Sequence, residues 1–83
     1  MVTADKIVTK VKTADDLLLF GKYKSKPIKS VFRDDKLYFM KEILNGNIVL
    51  DTKMRMHFFG TFDQRRVIKT AKMVYNSLNN KEE

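Results

Sequence analysis

The strongest structural signal in this 83-residue sequence is a helical repeat near its C-terminal end. Apolar residues recur there at intervals of three and four positions, the spacing that places them on one face of an α-helix: Val67, Ile68, Ala71, Val74, Tyr75 and Leu78. Thr61 and Gln64 form a capping-box pattern just before the repeat, which marks the start of a helix. The segment therefore predicts a helix over residues 62–78 that packs on the rest of the chain, followed by a frayed tail at 79–83.

Strands are predicted where apolar and polar residues alternate. Residues 6–12 and 17–24 are read in this way, and Gly21 indicates a bulge or a positive φ within the second segment. Residues 48–59 alternate over twelve positions, which favours one long strand, or two strands if the chain bends at Thr52. That strand would carry three basic side chains on the face opposite its methionines: Lys53, Arg55 and His57.

A second helix is predicted at about residues 34–44, between a turn at Pro27 and the sequence Asn-Gly-Asn that follows the helix. Ser30 or Asp34 would cap its start. The whole chain then forms a single domain with an α+β fold, in which a three- to four-stranded, mainly antiparallel sheet packs against the two helices. Its core is expected to contain most of these residues: Leu18, Phe20, Ile28, Phe32, Met40, Leu44, Leu50, Met54, Ile68, Ala71 and Tyr75.

Positive charge is concentrated in two blocks of a sequence whose formal net charge is +7. The first block, residues 17–33, contains no acid and five cations: Lys22, Lys24, Lys26, Lys29 and Arg33. The second block, residues 53–72, sets Asp63 alone against six cations: Lys53, Arg55, Arg65, Arg66, Lys69 and Lys72. Such an excess predicts a polyanionic partner. If the blocks share one face, these cations line a groove for phosphates, and Tyr23 either stacks on a base or packs within the fold.

Residue types needed for catalysis or metal binding are scarce. The sequence has no cysteine and one histidine, His57, so a Cys/His zinc site cannot be built and no general-base partner for that histidine is recognisable. Asp34 and Asp35 are adjacent and are better placed to cap a helix than to hold metal ions. We therefore expect no enzyme activity, no metal and no cofactor. The longest apolar run, residues 17–20, is far shorter than the ~20 residues of a membrane span, so no membrane partner is expected. The first ten residues lack the basic and apolar regions of a secretion signal, so the expected setting is the cytoplasm.

The stretches LLLFGKYKSKPIKSV and DDKLYFMKEILNGN resemble a small module found at the C-terminus of exonuclease X-like proteins and in free-standing bacterial and phage proteins of unassigned function. The resemblance covers about residues 17–46 and is carried by Phe20, Gly21, Lys22, Tyr23, Lys24, Lys26, Pro27, Ile28, Tyr38, Ile43 and Leu44. Ser25 stands where that pattern usually has glycine, and Met40 or Lys41 stands where it often has tryptophan. The resemblance implies a domain that accompanies DNA-processing proteins, without catalytic residues of its own.

Two functions remain open from the sequence. The first is a non-catalytic, nucleic-acid-binding accessory domain that contacts the phosphate backbone through its basic face, with DNA expected ahead of RNA. The second is a small protein-interaction modulator that docks on an acidic surface of a host protein, for which Phe58, Phe59 and Phe62 would supply exposed apolar contacts. Salt-dependent binding to DNA of random sequence separates the two.

Overall fold

The computed structural model describes residues 8–80. Within this range the elements follow one another in this order: strand β1 (Thr9–Val11), a 3-10 turn (Gly21–Tyr23), helices α1 (Ile28–Asp34) and α2 (Lys36–Leu44), strand β2 (Ile48–Leu50), and helices α3 (Thr52–Phe59) and α4 (Gln64–Asn80). The described part of the chain is therefore mainly helical. None of its helices has the length and apolarity needed to cross a membrane.

The predicted three- to four-stranded antiparallel sheet is wrong. Among residues 8–80 the only sheet is the parallel pair β1–β2, in which Thr9 lies opposite Ile48 and Val11 lies opposite Leu50. Parallel strands need a long crossover connection, which here contains both α1 and α2. Pairing β1 with the strand that follows two helices in sequence is a choice that no local pattern encodes.

The first two predicted strands differ from the structure in different ways. Of residues 6–12, only Thr9–Val11 forms a strand, and residues 6 and 7 lie outside the described residues. Residues 17–24 form no strand at all. Leu17 makes a single antiparallel bridge to Pro27, and the chain then enters the 3-10 turn.

The long strand predicted at 48–59 is also wrong, because the strand ends at Leu50 and a helix begins at Thr52. Asp51 caps that helix: its Oδ1 accepts a hydrogen bond of 2.8 Å from the backbone N–H of Met54. In a helix, residues at every second position do not share a face. The cations at 53 and 55 and His57 therefore do not form the basic strand face that the alternation predicted.

Both predicted helices are present, as α2 and α4. Of the two adjacent aspartates expected to cap a helix, Asp35 does so, whereas the other predicted caps differ from the structure. Asp35, and neither Ser30 nor Asp34, caps α2, since its Oδ1 accepts a 3.0 Å hydrogen bond from the backbone N–H of Tyr38. At the start of α4, Asp63 accepts a 2.9 Å hydrogen bond from the backbone N–H of Arg65. Thr61, the predicted cap of α4, instead accepts from the backbone N–H of Asp63 at 3.1 Å. Residues 79 and 80 of the predicted tail belong to α4, and residues 81–83 lie outside the described residues.

The core is a single cluster formed by all four helices and both strands. Every residue that the sequence assigned to it is buried or half-buried. Six further apolar residues, absent from that list, are also buried: Val11, Val31, Phe39, Ile43, Ile48 and Val67. Of these, Val67 lies on the apolar face that the sequence predicted for the C-terminal helix. Phe39 is fully buried at the centre of an aromatic group, with ring centroids 5.2 Å from Phe32 and 5.4 Å from Phe58. Burial of such a ring contributes about 1.5–3 kcal/mol.

Gly21 opens the 3-10 turn with a φ of +77°, so the predicted positive φ is confirmed, although in a turn and not in a strand bulge. A side chain at this position would also collide with the hydroxyl of Tyr38. Glycine suits position 21 for two reasons: it adopts a positive φ without strain, and it has no side chain to collide with Tyr38 of α2. Ser25, four residues later, also has a positive φ, of +73°, without being a glycine.

Replacing Gly21 with alanine should lower the free energy of unfolding by more than the same change at Gly46. Both glycines have a positive φ, but a Cβ on Gly46 would meet no atom within 4 Å. Gly46→Ala therefore measures the backbone penalty alone, about 1 kcal/mol, whereas Gly21→Ala adds the displacement of Tyr38. Urea denaturation of both variants checks this difference. Equal losses of stability in the two variants would show that the Tyr38 side chain moves aside without a measurable free-energy cost.

Ser25→Gly should stabilise the protein. A left-handed backbone costs a non-glycine residue about 1 kcal/mol or more, and glycine removes that cost while losing more entropy on folding. We expect a net gain of about 0.5 kcal/mol, or a rise in Tm of a few degrees. Ser30→Gly, within helix α1, is the control and should be destabilising. A lower Tm for Ser25→Gly would contradict the assigned turn.

Candidate nucleic-acid interface

Most of the first basic block is paired with acids from outside it. The Nζ of Lys22 lies 3.5 Å from Oδ2 of Asp35, and the Nζ of Lys29 lies 2.8 Å from Oδ1 of Asp15. Arg33 forms the third pair, through its Nε at 2.9 Å from Oδ1 of Asp34. Exposed pairs of this kind contribute little to stability, but they cancel local charge. Of the five cations in this block, only Lys24 and Lys26 form no ion pair with another described residue.

Tyr23 is part of the fold's packing and is held by two neighbours. Its hydroxyl donates a 2.6 Å hydrogen bond to Oδ2 of Asp35, and its ring meets the ring of Tyr38 edge-on at a centroid distance of 5.0 Å. The Nζ of Lys22 lies 5.2 Å and 5.6 Å from the centroids of these two rings. Of the two roles that the sequence left open for Tyr23, this geometry supports packing.

The Asp35 carboxylate joins this turn to helix α2, and its surroundings keep it charged. Partial burial disfavours the charged form, but the hydrogen bonds from Tyr23 and from the backbone of Tyr38, together with nearby Lys22, outweigh burial and lower the pKa of Asp35. The same hydrogen bond raises the pKa of Tyr23, because losing its proton would place two negative charges side by side. The cluster is thus a structural connection between the turn and α2.

Arg55, in the second block, is also occupied by the fold. Its Nε donates to the backbone carbonyl of Phe62 at 2.8 Å, one terminal nitrogen donates to the carbonyl of Leu50 at 2.9 Å, and the other donates to Oγ1 of Thr52 at 3.1 Å. The guanidinium therefore ties the end of β2, the start of α3 and the loop before α4 together. Arg55 is not part of the candidate surface, because each of its three guanidinium nitrogens already donates a hydrogen bond within the fold.

The remaining cations of the second block are exposed, and none forms an ion pair with another residue of the range 8–80: Lys53, Arg65, Arg66, Lys69 and Lys72. Four of them lie on the first half of α4, which contains no acid between residues 64 and 80. Three of those four, at spacings of four and three, form one stripe on the helix. We call the four α4 cations, Arg65, Arg66, Lys69 and Lys72, the α4 basic face.

A cleft of about 370 Å³ runs along one side of the α4 basic face, between α4 and the end of α3. It is lined by Phe59, Gly60, Thr61, Arg66, Lys69, Thr70 and Met73. Cationic, hydroxyl and apolar side chains therefore meet in one concave surface. Its volume is near the lower end of the range of about 300–1,000 Å³ typical of ligand sites.

The two basic blocks line separate clefts. A cleft of about 300 Å³ contains Lys26 and Arg33, and one of about 220 Å³ contains Lys22 beside Lys41. Neither of these two clefts includes a cation of the second block. The cations of the two blocks therefore line different clefts, and none of the cations of the α4 basic face forms an ion pair with another residue of the range 8–80.

Within residues 8–80, no three side chains of the types His, Cys, Asp and Glu are grouped closely enough to hold a metal ion. His57 is exposed, and its ring meets Phe58 edge-on at 4.8 Å. The described acids serve mainly as helix caps and ion-pair partners, as Asp35, Asp51 and Asp63 show.

No protein-family model, curated protein or solved structure matches this chain. The resemblance to the exonuclease X-associated module therefore stays a prediction from the residues that carry it. One departure from that pattern now has a physical setting, because Ser25, which replaces the usual glycine, has a backbone conformation that glycine adopts most easily.

Asp35→Asn should lower the free energy of unfolding at neutral pH by about 1 kcal/mol, since it removes the charge from the cap of α2 and from the pair with Lys22. Because folding lowers the pKa of Asp35, its contribution is present above the unfolded value of about 3.9 and is lost as the pH falls through the folded value. The difference from the wild type should therefore shrink below about pH 4.

Urea denaturation across this pH range measures that difference. Asp16 and Asp34, whose pKa values are also lowered, are present in both proteins and cancel. Asp15→Asn is the control, because it removes only an exposed partner of Lys29 and should change stability little. A difference for Asp35→Asn that stays constant from neutral to acid pH would show that the charge of Asp35 does not stabilise the fold.

Proposed function

We propose that this protein is a non-catalytic nucleic-acid-binding domain that contacts the phosphate backbone through the α4 basic face. The observation that carries the proposal is the absence of compensation: four cations lie on two turns of one helix, and none has an acidic partner among residues 8–80. Charges of one sign placed together repel one another, so the arrangement is unfavourable for the isolated fold. A polyanion relieves that repulsion on binding.

Binding of this kind should depend strongly on salt and weakly on sequence. Phosphate contacts position a protein on nucleic acid without reading its bases, and lysine in particular offers a point charge. With about 3–5 phosphates engaged, the logarithm of the binding constant should fall with the logarithm of salt concentration at a slope of about −2 to −5. Lys24 and Lys26, the unpaired cations of the first block, can add contacts at a second position on a longer ligand.

DNA processing is the setting that we propose for this domain. The support is the resemblance of the segment from Leu17 to Gly46 to the module that accompanies exonuclease X-like proteins. The same resemblance favours DNA over RNA as the ligand. In such a setting the domain would hold DNA while another protein performs the chemistry.

A second candidate function is docking on an acidic protein surface, and a specific observation favours it. Phe62 and Met73 are 57% and 62% exposed and lie next to the α4 cations in sequence. Apolar side chains surrounded by charge are common in protein interfaces. An acidic partner with an apolar centre would suit this surface, and electrostatic attraction would speed its association.

The double substitution Arg66→Glu/Lys69→Glu should weaken binding to DNA of random sequence by at least tenfold at low salt and should flatten the salt dependence, because two phosphate contacts are replaced by repulsion. Lys24→Glu/Lys26→Glu is the matched control. Each double variant exchanges two positive for two negative charges, so the formal net charge falls by four, from +7 to +3, in both. The control should weaken binding much less.

Fluorescence anisotropy over a series of salt concentrations makes the comparison, with thermal melts to show that both variants fold. Equal losses in the two variants would mean that net charge, and not the α4 basic face, determines binding. If the wild type binds no DNA or RNA at about 50 mM salt, the nucleic-acid function is wrong and the acidic protein partner replaces it.

A further inference from the structure

We propose that the nucleic acid bound by this domain is single-stranded, and that Phe62 stacks on one of its bases. This inference rests on the proposed function and specifies its ligand. The observation behind it is an exposed aromatic residue in a loop whose backbone is held by hydrogen bonds, directly before a cationic helix.

Phe62 is not part of the hydrophobic core cluster of the described fold. Its side chain is 57% exposed, and its ring meets no other aromatic ring or cation among residues 8–80. The other phenylalanines near it differ in this respect, because Phe58 and Phe59 are half-buried and pack against Phe39. Exposure of more than half of a phenylalanine residue has a free-energy cost in water that a ligand can relieve.

The backbone around Phe62 is nevertheless held in place. Arg55 donates a 2.8 Å hydrogen bond to the carbonyl of Phe62, and it is itself tied to the end of β2. Thr61 accepts from the next N–H along the chain, that of Asp63, and Asp63 in turn caps α4. The loop is therefore fixed on both sides of the exposed ring. A ring held in this way loses little further backbone freedom when a ligand binds.

The α4 basic face begins three residues after Phe62 and supplies the complementary charge. The cleft beside it places Arg66 and Lys69 together with the apolar side chains of Phe59 and Met73. Proteins that bind unpaired strands combine these two features, cations for the phosphates and aromatic rings for the bases. In a duplex the base faces are covered by their neighbours, so an aromatic ring on the surface gains no stacking there. The combination therefore favours a single strand.

The test compares labelled oligothymidylate and oligouridylate of about 20 nucleotides with a duplex of the same length, by fluorescence anisotropy with the whole protein. The wild type should bind the single strands more tightly than the duplex. Phe62→Ala should weaken binding to the oligothymidylate by about 5- to 100-fold and change duplex binding by less than about twofold. Phe62→Tyr, which keeps a ring, should restore most of the affinity.

Leu19→Ala is the matched control, since Leu19 is 52% exposed and lies before the 3-10 turn, whereas Phe62 lies in the loop before α4. It should leave binding to all three ligands unchanged.

An equal loss of affinity of Phe62→Ala for the oligothymidylate and the oligouridylate would support stacking, which does not distinguish the sugar. If Phe62→Ala binds single strands as the wild type does, or weakens single strands and duplex equally, the inference is overturned while salt-dependent DNA binding still supports the proposed function. If no nucleic acid binds the wild type, the proposed function fails together with the inference.

Discussion

The packing of α4 against α2 is the interaction on which the rest of the structure depends. It is the most extensive contact between elements, and on the α4 side it buries Val67 and Ala71 almost completely. A chain of 83 residues without disulfides has a small hydrophobic core. Its stability therefore depends on packing the apolar face of α4 against the rest of the fold. The opposite side of the same helix is then left in water, and that side carries the unpaired cations.

The acids of this protein explain why its positive charge is so unevenly distributed. Three aspartates cap helices, and two more pair with cations of the first basic block. These roles place them at the starts of helices and around the turn after β1, and one of them, Asp63, lies at the start of α4. The charge of the α4 basic face follows from this division, because α4 itself contains no acid. None of the described aspartates forms an ion pair with a cation of the α4 basic face.

Sequence reasoning predicted those elements whose pattern is both long and unambiguous. Helix α4 has an apolar repeat over twelve residues, and the side chains that it was expected to bury are buried or half-buried. The prediction of a strand at residues 52–59 was wrong, because a run of alternating apolar and polar residues can also form a helix. Capping residues distinguish the two structures. The deciding signal, Asp51 before the helix and Gly60 after it, was present in the sequence. No local signal could have revealed that Arg55 donates to Leu50 and Phe62, since those partners depend on how the chain is folded.

The sequence by itself determined the two longer helices, most of the core and the positive φ at Gly21, because periodicity, side-chain burial and backbone sterics act over a few neighbouring residues. Only the tertiary structure decided which strands pair and which cations stay free. Lys22 and Lys29 look uncompensated within their block, yet each lies beside an aspartate distant in sequence, Asp35 and Asp15, once the turn and α1 have formed. Charge adds along a sequence, but ion pairing depends on distance in space, and folding sets that distance.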